Sequence, residues 1–365
     1  MRQKDVKERF RGANAAKRVL QKSTRQKTPA RTAALRPPGR KRKRMKNRNR
    51  IKKALPAVCA AGALLLIAAF LLIGSACGLF DSALPPYDRS LPGVFFIDVG
   101  QGDAILLSSP DGGYMMIDTG SERAADALTE TLDRLGVTEL KYLLLTHPDE
   151  DHVGGACALF DRLTVGEVLC GTEKSDAPCW KSVLIGAKEK DLPVRTVRSG
   201  DRIDFSDRMT LEVLAPIGEI GQRNDNDRSV VVRASYGNCS FLFTGDAEKE
   251  EEDALCVRYG KTLESSVLKA GHHGSSTSSG EGFLSLVRPS VAVISCGKDN
   301  AFGHPHEEVL RRLGEAGAEQ ILRTDVSSTV ILQTDGERVF PAETPGVTPF
   351  DRIVDRIRNL FLDVL

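Results

Sequence analysis

The sequence predicts an α/β fold of two β-sheets with helices on their outer faces, set behind a basic tail and one apolar span. Three observations carry that expectation. From Gly93 onward, short β-rich runs alternate with turn residues. Later segments space their apolar residues at helical intervals. All six histidines fall in three short patches: His147 and His152 in THPDEDHVGG, His272 and His273 in KAGHHGS, and His304 and His306 in GHPH. The first patch follows the apolar run 141–145 and interleaves imidazoles with carboxylates. That pattern points to a metal site at the end of a buried strand, and so to hydrolytic chemistry.

Residues 1–53 hold 22 Lys and Arg against Asp5 and Glu8, a net of +20, whereas the rest of the chain carries a net of −18. With few apolar residues this stretch cannot build a core, and it reads as a disordered basic cytoplasmic tail. Residues 54–80 contain no charged residue. As a helix they would reach about 40 Å, enough to cross a bilayer, so the expectation is a single transmembrane helix with the lipid bilayer as a partner. The basic bias before it and Asp81 after it place the N-terminus in the cytoplasm and the remainder outside a bacterial cell membrane. A minor alternative is lipidation at Cys77, because Ile73–Cys77 resembles a lipobox in which Gly74 replaces a branched residue. Residues 81–92 form a Pro-containing linker.

The folded domain is expected at 93–341. Its strands fall at 94–98, 104–108, 114–118, 142–145, 210–214, 230–235, 240–244, 266–268, 291–295 and 318–322. A helix over 122–135 aligns Ala125, Leu128, Leu132 and Leu135, with Ser121 as its cap. Further helices are expected at 247–259, 280–287 and 306–316. Two sheets with helices outside them suit this order better than a doubly wound sheet. The cysteines show no CxxC and no metal-finger spacing; Cys170 and Cys179 are near enough in sequence to pair across a loop. Residues 342–365 form a Pro-containing joint and an amphipathic C-terminal helix.

The chemistry rests on three strings. In the first, His147 and Asp149 can turn toward one cation while Asp151 and His152 address a second, with Gly154 and Gly155 letting the backbone pass closely. In the second, the apolar run 241–243 delivers Asp246, placed to bridge two ions. In the third, one of His272 and His273 can ligate while the other binds substrate or supports the ligands. Singly, each has a plainer reading: Asp246 as a helix cap, the HHG pair as turn histidines, the first patch as an acidic loop. Together they point to a centre that activates water and clamps the attacking and leaving oxygens of a phosphodiester. Asp151 would orient the water, His272 would bind phosphate oxygens, and His304 would serve the leaving group. Lys269 adds charge or simply flanks its strand in solvent.

The string from His147 to Gly155 resembles the HxHxDH motif of the metallo-β-lactamase superfamily, with Asp149 in place of the middle histidine. With 96–104, 243–246 and 272–275 it is similar to the hydrolase domain of the ComEC/Rec2 competence proteins. The resemblance implies an αββα sandwich of the metallo-β-lactamase type with a dinuclear centre, whose floor would be organised by Asp98, Gln101 and Asp103, similar to the family's opening turn, and by Asp118 at the end of another strand. It assigns His147, Asp149, Asp151, His152, the bridging Asp246 and His273 as metal ligands, with two divalent ions, Zn²⁺ or Mn²⁺. No histidine stands between the first motif and Asp246, where the superfamily usually has one, so either one metal is bound with fewer protein ligands or oxygen donors such as Asp227 or Asn226 contribute, and an oxygen-rich second site would favour Mn²⁺. The family's competence proteins have many membrane spans and this sequence has one candidate, so DNA import by the chain alone does not follow.

The expected function is a membrane-anchored, extracytoplasmic metal-dependent phosphodiesterase or DNase, with competence or cell-envelope machinery as partners. The alternatives are a teichoic-acid-type phosphodiesterase of the cell envelope, a lactone or β-lactam hydrolase, and a non-catalytic binding module. The outer domain is acidic and shows no basic stripe with aromatics beyond scattered residues such as Arg223 and Arg228, so affinity for nucleic acid would depend on active-site metals compensating locally. The sequence fixes no oligomeric state.

Overall fold

In the computed structural model, residue 84 and residues 87–218 and 224–342 are described. Two sheets lie face to face. The first holds β1 (Gly93–Phe96), β2 (Ile105–Ser108), β3 (Tyr114–Ile117), β4 (Glu139–Leu145), β5 (Thr164–Cys170) and β6 (Val194–Thr196), together with β14 (Val330–Thr334) and β15 (Val339–Pro341). The second holds β7 (Arg202–Ile203), β8 (Thr210–Ala215), β9 (Val231–Tyr236), β10 (Cys239–Phe243), β11 (Val267–Lys269), β12 (Val291–Ile294) and β13 (Gln320–Arg323). Their orders are β15-β14-β1-β2-β3-β4-β5-β6 and β13-β12-β11-β10-β9-β8-β7.

The period-two alternation of the strands produces the layers. On β1, Val94 and Phe96 point inward to meet Val232, Phe241, Phe243 and Val293 of the opposite sheet. Phe95, between them, points outward with Leu106, Met116 and Leu143. That outer face is covered by helices Ala125–Leu135, Ala156–Arg162 and Pro178–Glu189, through Leu128, Leu132, Leu159, Trp180 and Val183. The far face of the second sheet packs Leu242, Leu268 and Ala292 under helices Lys249–Tyr259, Glu281–Val287 and Glu307–Glu315. Fully burying each such side chain contributes roughly 1.5–3 kcal/mol. The result is the expected αββα sandwich.

Strands β3 to β6 run parallel, as do β10 to β13. Their carboxyl ends therefore open onto shared edges, where open α/β sheets hold ligands. Asp118 follows β3, His147 follows β4, Asp246 follows β10, and His272 and His273 follow β11. The two edges meet directly, since the Val230 amide donates to the Thr146 carbonyl at 2.9 Å.

Several elements escaped the sequence reading. β5 is interrupted by Gly166, which weakens a strand pattern, although its missing side chain admits the Lys141 carbonyl. Helix Pro178–Glu189 opens on proline and buries Trp180, Val183 and Ala187. β14 is a lone apolar run whose partner, β1, lies more than two hundred residues earlier. The helix expected from residue 122 begins as a 3-10 turn at Glu122–Ala124, and Ser121 makes no side-chain cap bond. Cys170 and Cys179 are free thiols, so the pairing considered for them is not made.

The single-span topology is corrected. Among the described residues no helix is long and apolar enough to cross a membrane. The segment 54–80 on which the expectation rested lies outside the described residues, as do the tail 1–53 and the helix expected in 342–365 beyond Ala342. The bilayer partner, the membrane localisation and the outward-facing placement are withdrawn with it, and so is the disordered tail as part of the fold.

Candidate metal centre

Asp118 organises one wall. It sits in the left-handed region (φ 57°), a conformation in which Asp is among the better-tolerated residues. Its Oδ1 accepts the Thr146 amide at 2.8 Å and its Oδ2 accepts the Thr146 hydroxyl at 2.7 Å. His152 Nδ1 donates to Oδ2 at 2.8 Å. Because the Thr146 hydroxyl proton is directed at Asp118, its oxygen can only accept from His147 Nδ1, 3.1 Å away. The proton of His147 is thereby fixed on Nδ1, leaving Nε2 as a lone pair. That Nε2 is buried and has no hydrogen-bond partner.

His273 follows the same rule from the other sheet. Its Nδ1 donates to the Ser295 carbonyl at 2.9 Å, and its Nε2 turns inward. There it lies 3.3 Å from His152 Nε2, 3.2 Å from Asp151 Oδ2 and 3.4 Å from Asp246 Oδ2. Asp246 Oδ1 approaches His152 Nε2 to 3.2 Å yet is buried without a hydrogen bond. Asp149 Oδ2 stands 3.7 Å from His147 Nε2 at the exposed rim. One ligand atom from each of Asp103, His152, Asp246 and His273 lies within 4.8 Å of all the others, and all four residues are buried.

Three imidazoles with Nδ1 engaged and Nε2 converging on carboxylates suit a divalent cation, and the engaged Nδ1 partners fix ring orientation. Charge points the same way. Burial works against protonation of His152, but Asp246 and Asp118 outweigh it and hold the ring well above the usual imidazole range. His273 is likewise raised against burial, by Asp246, Asp103 and Asp151. Asp246 is held well below the usual carboxylate range despite burial, by His152 and His273. The carboxylates thus call for positive charge at this spot, and a bound cation answers the same demand. His147 differs: burial and neighbouring His152 push it down to about 3, leaving a neutral ring.

Asp103 belongs to the cluster from behind. Its carboxylate pairs closely with Lys269, and it faces the Nδ1 side of His273 (3.4 Å) and of His152 (4.0 Å). Lys269 is fully buried, not a solvated flank, and its Nζ also donates to the Gly245 carbonyl at 3.3 Å. The backbone is tight here. A Cβ on Gly102 would sit 2.3 Å from the Asp151 carbonyl, and one on Gly154 would sit 2.3 Å from the Glu122 amide.

The HHG turn holds two consecutive left-handed residues, His272 (φ 47°, ψ 50°) and His273 (φ 53°, ψ 23°). Each costs on the order of 1–2 kcal/mol outside glycine, and this strain aims both rings at the centre. His272 Nε2 lies 3.7 Å from Asp246 Oδ2, and its Nδ1 is held by Glu248 Oε1 at 3.0 Å. Glu248 also accepts the Thr277 hydroxyl at 2.9 Å, a support with no signal in the sequence. His304 lies 5.6 Å from His272, edge to face, and 6.4 Å from His273, ring centre to ring centre. Burial and the neighbouring imidazoles push it down to about 4.

The structure brings His147, Asp149, Asp151, His152, Asp246, His272 and His273 to one place, with His304 beside them. It does not bring Asn226 or Asp227 there. Asp227 Oδ1 accepts the amides of Glu248 (3.0 Å) and Glu251 (3.2 Å), starting helix Lys249–Tyr259, and Asn226 Nδ2 donates to Glu248 Oε1 at 3.3 Å. Asp98 and Gln101 brace loops: Asp98 Oδ1 accepts the Gly100 amide at 3.1 Å and Gln101 Oε1 the Gly297 amide at 3.2 Å.

The chain matches the Metallo-beta-lactamase superfamily over residues 97–298, more than half its length. It is 32% identical over 254 residues to ComE operon protein 3 of Bacillus subtilis, covering 65% of this chain and 32% of that protein. It is 34% identical over 282 residues to Competence protein ComA of Neisseria gonorrhoeae, covering 75% of this chain and 37% of the relative. The chain therefore spans about a third of the length of these relatives. Among solved structures, CmlA, a diiron beta-hydroxylase from Streptomyces venezuelae, aligns over 67% of this chain and 54% of its own at 15% identity and a TM-score of 0.45.

Proposed function

The chain belongs to the metallo-beta-lactamase superfamily and is a metal-dependent hydrolase, and from that premise we propose that its substrate is a phosphodiester, a nucleic-acid backbone in the first instance. The observation that carries this reading is the set of three imidazoles whose Nδ1 atoms are all engaged and whose Nε2 atoms all face Asp246 or its surroundings. In this reading His147, Asp149, Asp151, His152, Asp246 and His273 would hold two divalent cations, Zn²⁺ or Mn²⁺. Bound there, such ions lower the pKa of water and polarise a phosphoryl oxygen.

The chain's own groups do the rest. Asp151, drawn below the usual carboxylate range by the neighbouring His273 and His152 despite burial, stays ionised and orients the attacking water. His272, fixed at Nδ1 by Glu248 and partly exposed, offers Nε2 to the substrate. His304, held neutral near pH 7, contributes a surface and an acceptor and not an acid proton. The names of the competence relatives favour nucleic acid.

The test is hydrolysis of bis-p-nitrophenyl phosphate by the full chain. Activity is expected only with Mn²⁺ or Zn²⁺ present and is expected to vanish in Asp151→Ala. Undiminished turnover after exhaustive chelation would overturn the metal mechanism.

A further inference from the structure

Beside the centre stands a ring that the mechanism above does not use. Phe302 is 64% exposed, and it is the only aromatic among the exposed large hydrophobic side chains of the described residues; the others are Ile185, Val257 and Val326. An exposed phenyl forgoes the gain of burial, so a loop that holds one outward invites explanation. This loop, between β12 and helix Glu307–Glu315, is braced throughout. Asn300 Nδ2 donates to the carbonyls of Gly297 (2.9 Å) and His304 (2.6 Å). Asn300 Oδ1 accepts the amides of Phe302 (3.2 Å) and His304 (2.9 Å). His306 reaches back from Nε2 to the Phe302 carbonyl at 3.3 Å, and its Nδ1 accepts the Ser276 amide at 2.9 Å, tying the loop to the HHG turn.

One face of the phenyl is already supported. It stacks on His304 with ring centres 5.5 Å apart and planes 22° from parallel. His304 in turn lies against His272, and His272 Nε2 is 3.7 Å from Asp246 Oδ2. An unbroken series of rings thus runs from the metal centre to a flat apolar surface at the rim. Flat π-faces held rigidly beside a backbone-binding site are what sequence-tolerant binders of single strands use.

We propose that Phe302 is a stacking platform for a nucleobase of a single nucleic-acid strand, seating the adjoining phosphodiester at the metal centre. This rests on the phosphodiester reading above and narrows it to strands with unpaired bases. Phe302 decides which substrate is held; it does not touch the reacting atoms.

The experiment uses the full chain with Mn²⁺, made inert by Asp151→Asn, and two short oligodeoxynucleotides of equal length. One carries 2-aminopurine among its bases, and the other has abasic sugars in the same places, so phosphate charge is matched. Binding is read by anisotropy and stacking by quenching of 2-aminopurine. The base-bearing strand is expected to bind about tenfold more tightly, in the range that one base stacked on an aromatic contributes. Phe302→Ala should collapse that ratio to about one and abolish quenching, while Phe302→Tyr should preserve both. Equal binding of the two strands by the parent protein, or a ratio unaltered by Phe302→Ala, overturns the proposal. Cleavage of both strands by the chain without the Asp151 substitution is scored separately. Failure to cut either would sink the phosphodiester reading, while the binding ratio still judges Phe302.

Discussion

Asp118 Oδ2 lies 2.8 Å from His152 Nδ1 and also takes the hydroxyl of Thr146, whose oxygen faces His147 Nδ1. One carboxylate therefore sets the proton position of two imidazoles, one directly and one through a hydroxyl. Removing it frees both rings to turn and to exchange tautomers. Asp118→Ala is expected to weaken divalent-metal binding by about 10–100-fold, the usual effect of losing such a support. Isothermal titration with Mn²⁺ and Zn²⁺ measures it. An unchanged affinity would show that backbone placement alone orients the rings.

The buried Asp103–Lys269 pair makes a second prediction. Lys269→Met would leave the Asp103 carboxylate among apolar walls and the Nδ1 side of two imidazoles. Breaking a buried pair from one side costs about 3–5 kcal/mol, whereas removing both partners costs less. Urea unfolding should therefore show Lys269→Met strongly destabilised and Asp103→Asn combined with Lys269→Met partly restored. Equal loss in the single and double variants would argue against a compensated pair.

Glu252 gives the pH dependence. Burial pushes its carboxyl up to about 7, against the amides of Ser279 and Gly280 that it accepts at 2.5 and 2.9 Å. The folded protein therefore holds this proton more tightly than the unfolded chain, whose carboxyl titrates near about 4.3. Its contribution to stability is full below that value, declines as pH rises toward about 7, and is flat above. Glu252→Gln should flatten the fall in urea midpoint between those limits. A slope identical to the parent's would place the titration elsewhere.

Gly102 tests the floor of the site. It combines φ of +134° with a backbone approach that leaves a Cβ 2.3 Å from the Asp151 carbonyl. Gly102→Ala must move one of the two segments. It is expected to destabilise the fold by more than about 1 kcal/mol and to reduce metal-dependent turnover. Parent-like turnover and melting would mean that the approach is not needed.

Much of this centre was legible in the sequence because its ligands terminate strands. The apolar runs ending in His147 and Asp246 announced themselves, as apolar strands ending in polar groups do. The pairing of Asp103 with Lys269 did not: Asp103 is expected on the floor of the site, but Lys269 reads as an ordinary charge, and only the fold brings together residues 166 positions apart. Asp227 misled for the opposite reason. Asp is favoured both as an oxygen ligand and at helix starts, and the structure uses it for the latter, on the amides of Glu248 and Glu251. The left-handed backbone at His272 and His273 carries no sequence mark at all, since that conformation is normally signalled by glycine or asparagine. Of the sheets, β14 could not be read because it pairs with the first strand of the domain, and local pattern holds no record of so distant a partner.

The proposed ligands arrive from opposite sheets, His147, Asp149, Asp151 and His152 after β4 and Asp246 and His273 after β10 and β11. The spacing of the sheets is set by interior contacts such as the rings of Phe96 and Phe243, 6.3 Å apart. The grip on a cation is then a gauge of interior thickness. Divergence in the outer helices can proceed without reaching the chemistry, whereas a change of volume between the sheets alters the bite of the chelate even when no ligand is touched. Metal preference in this scaffold can thus drift through aliphatic substitutions far from any donor atom.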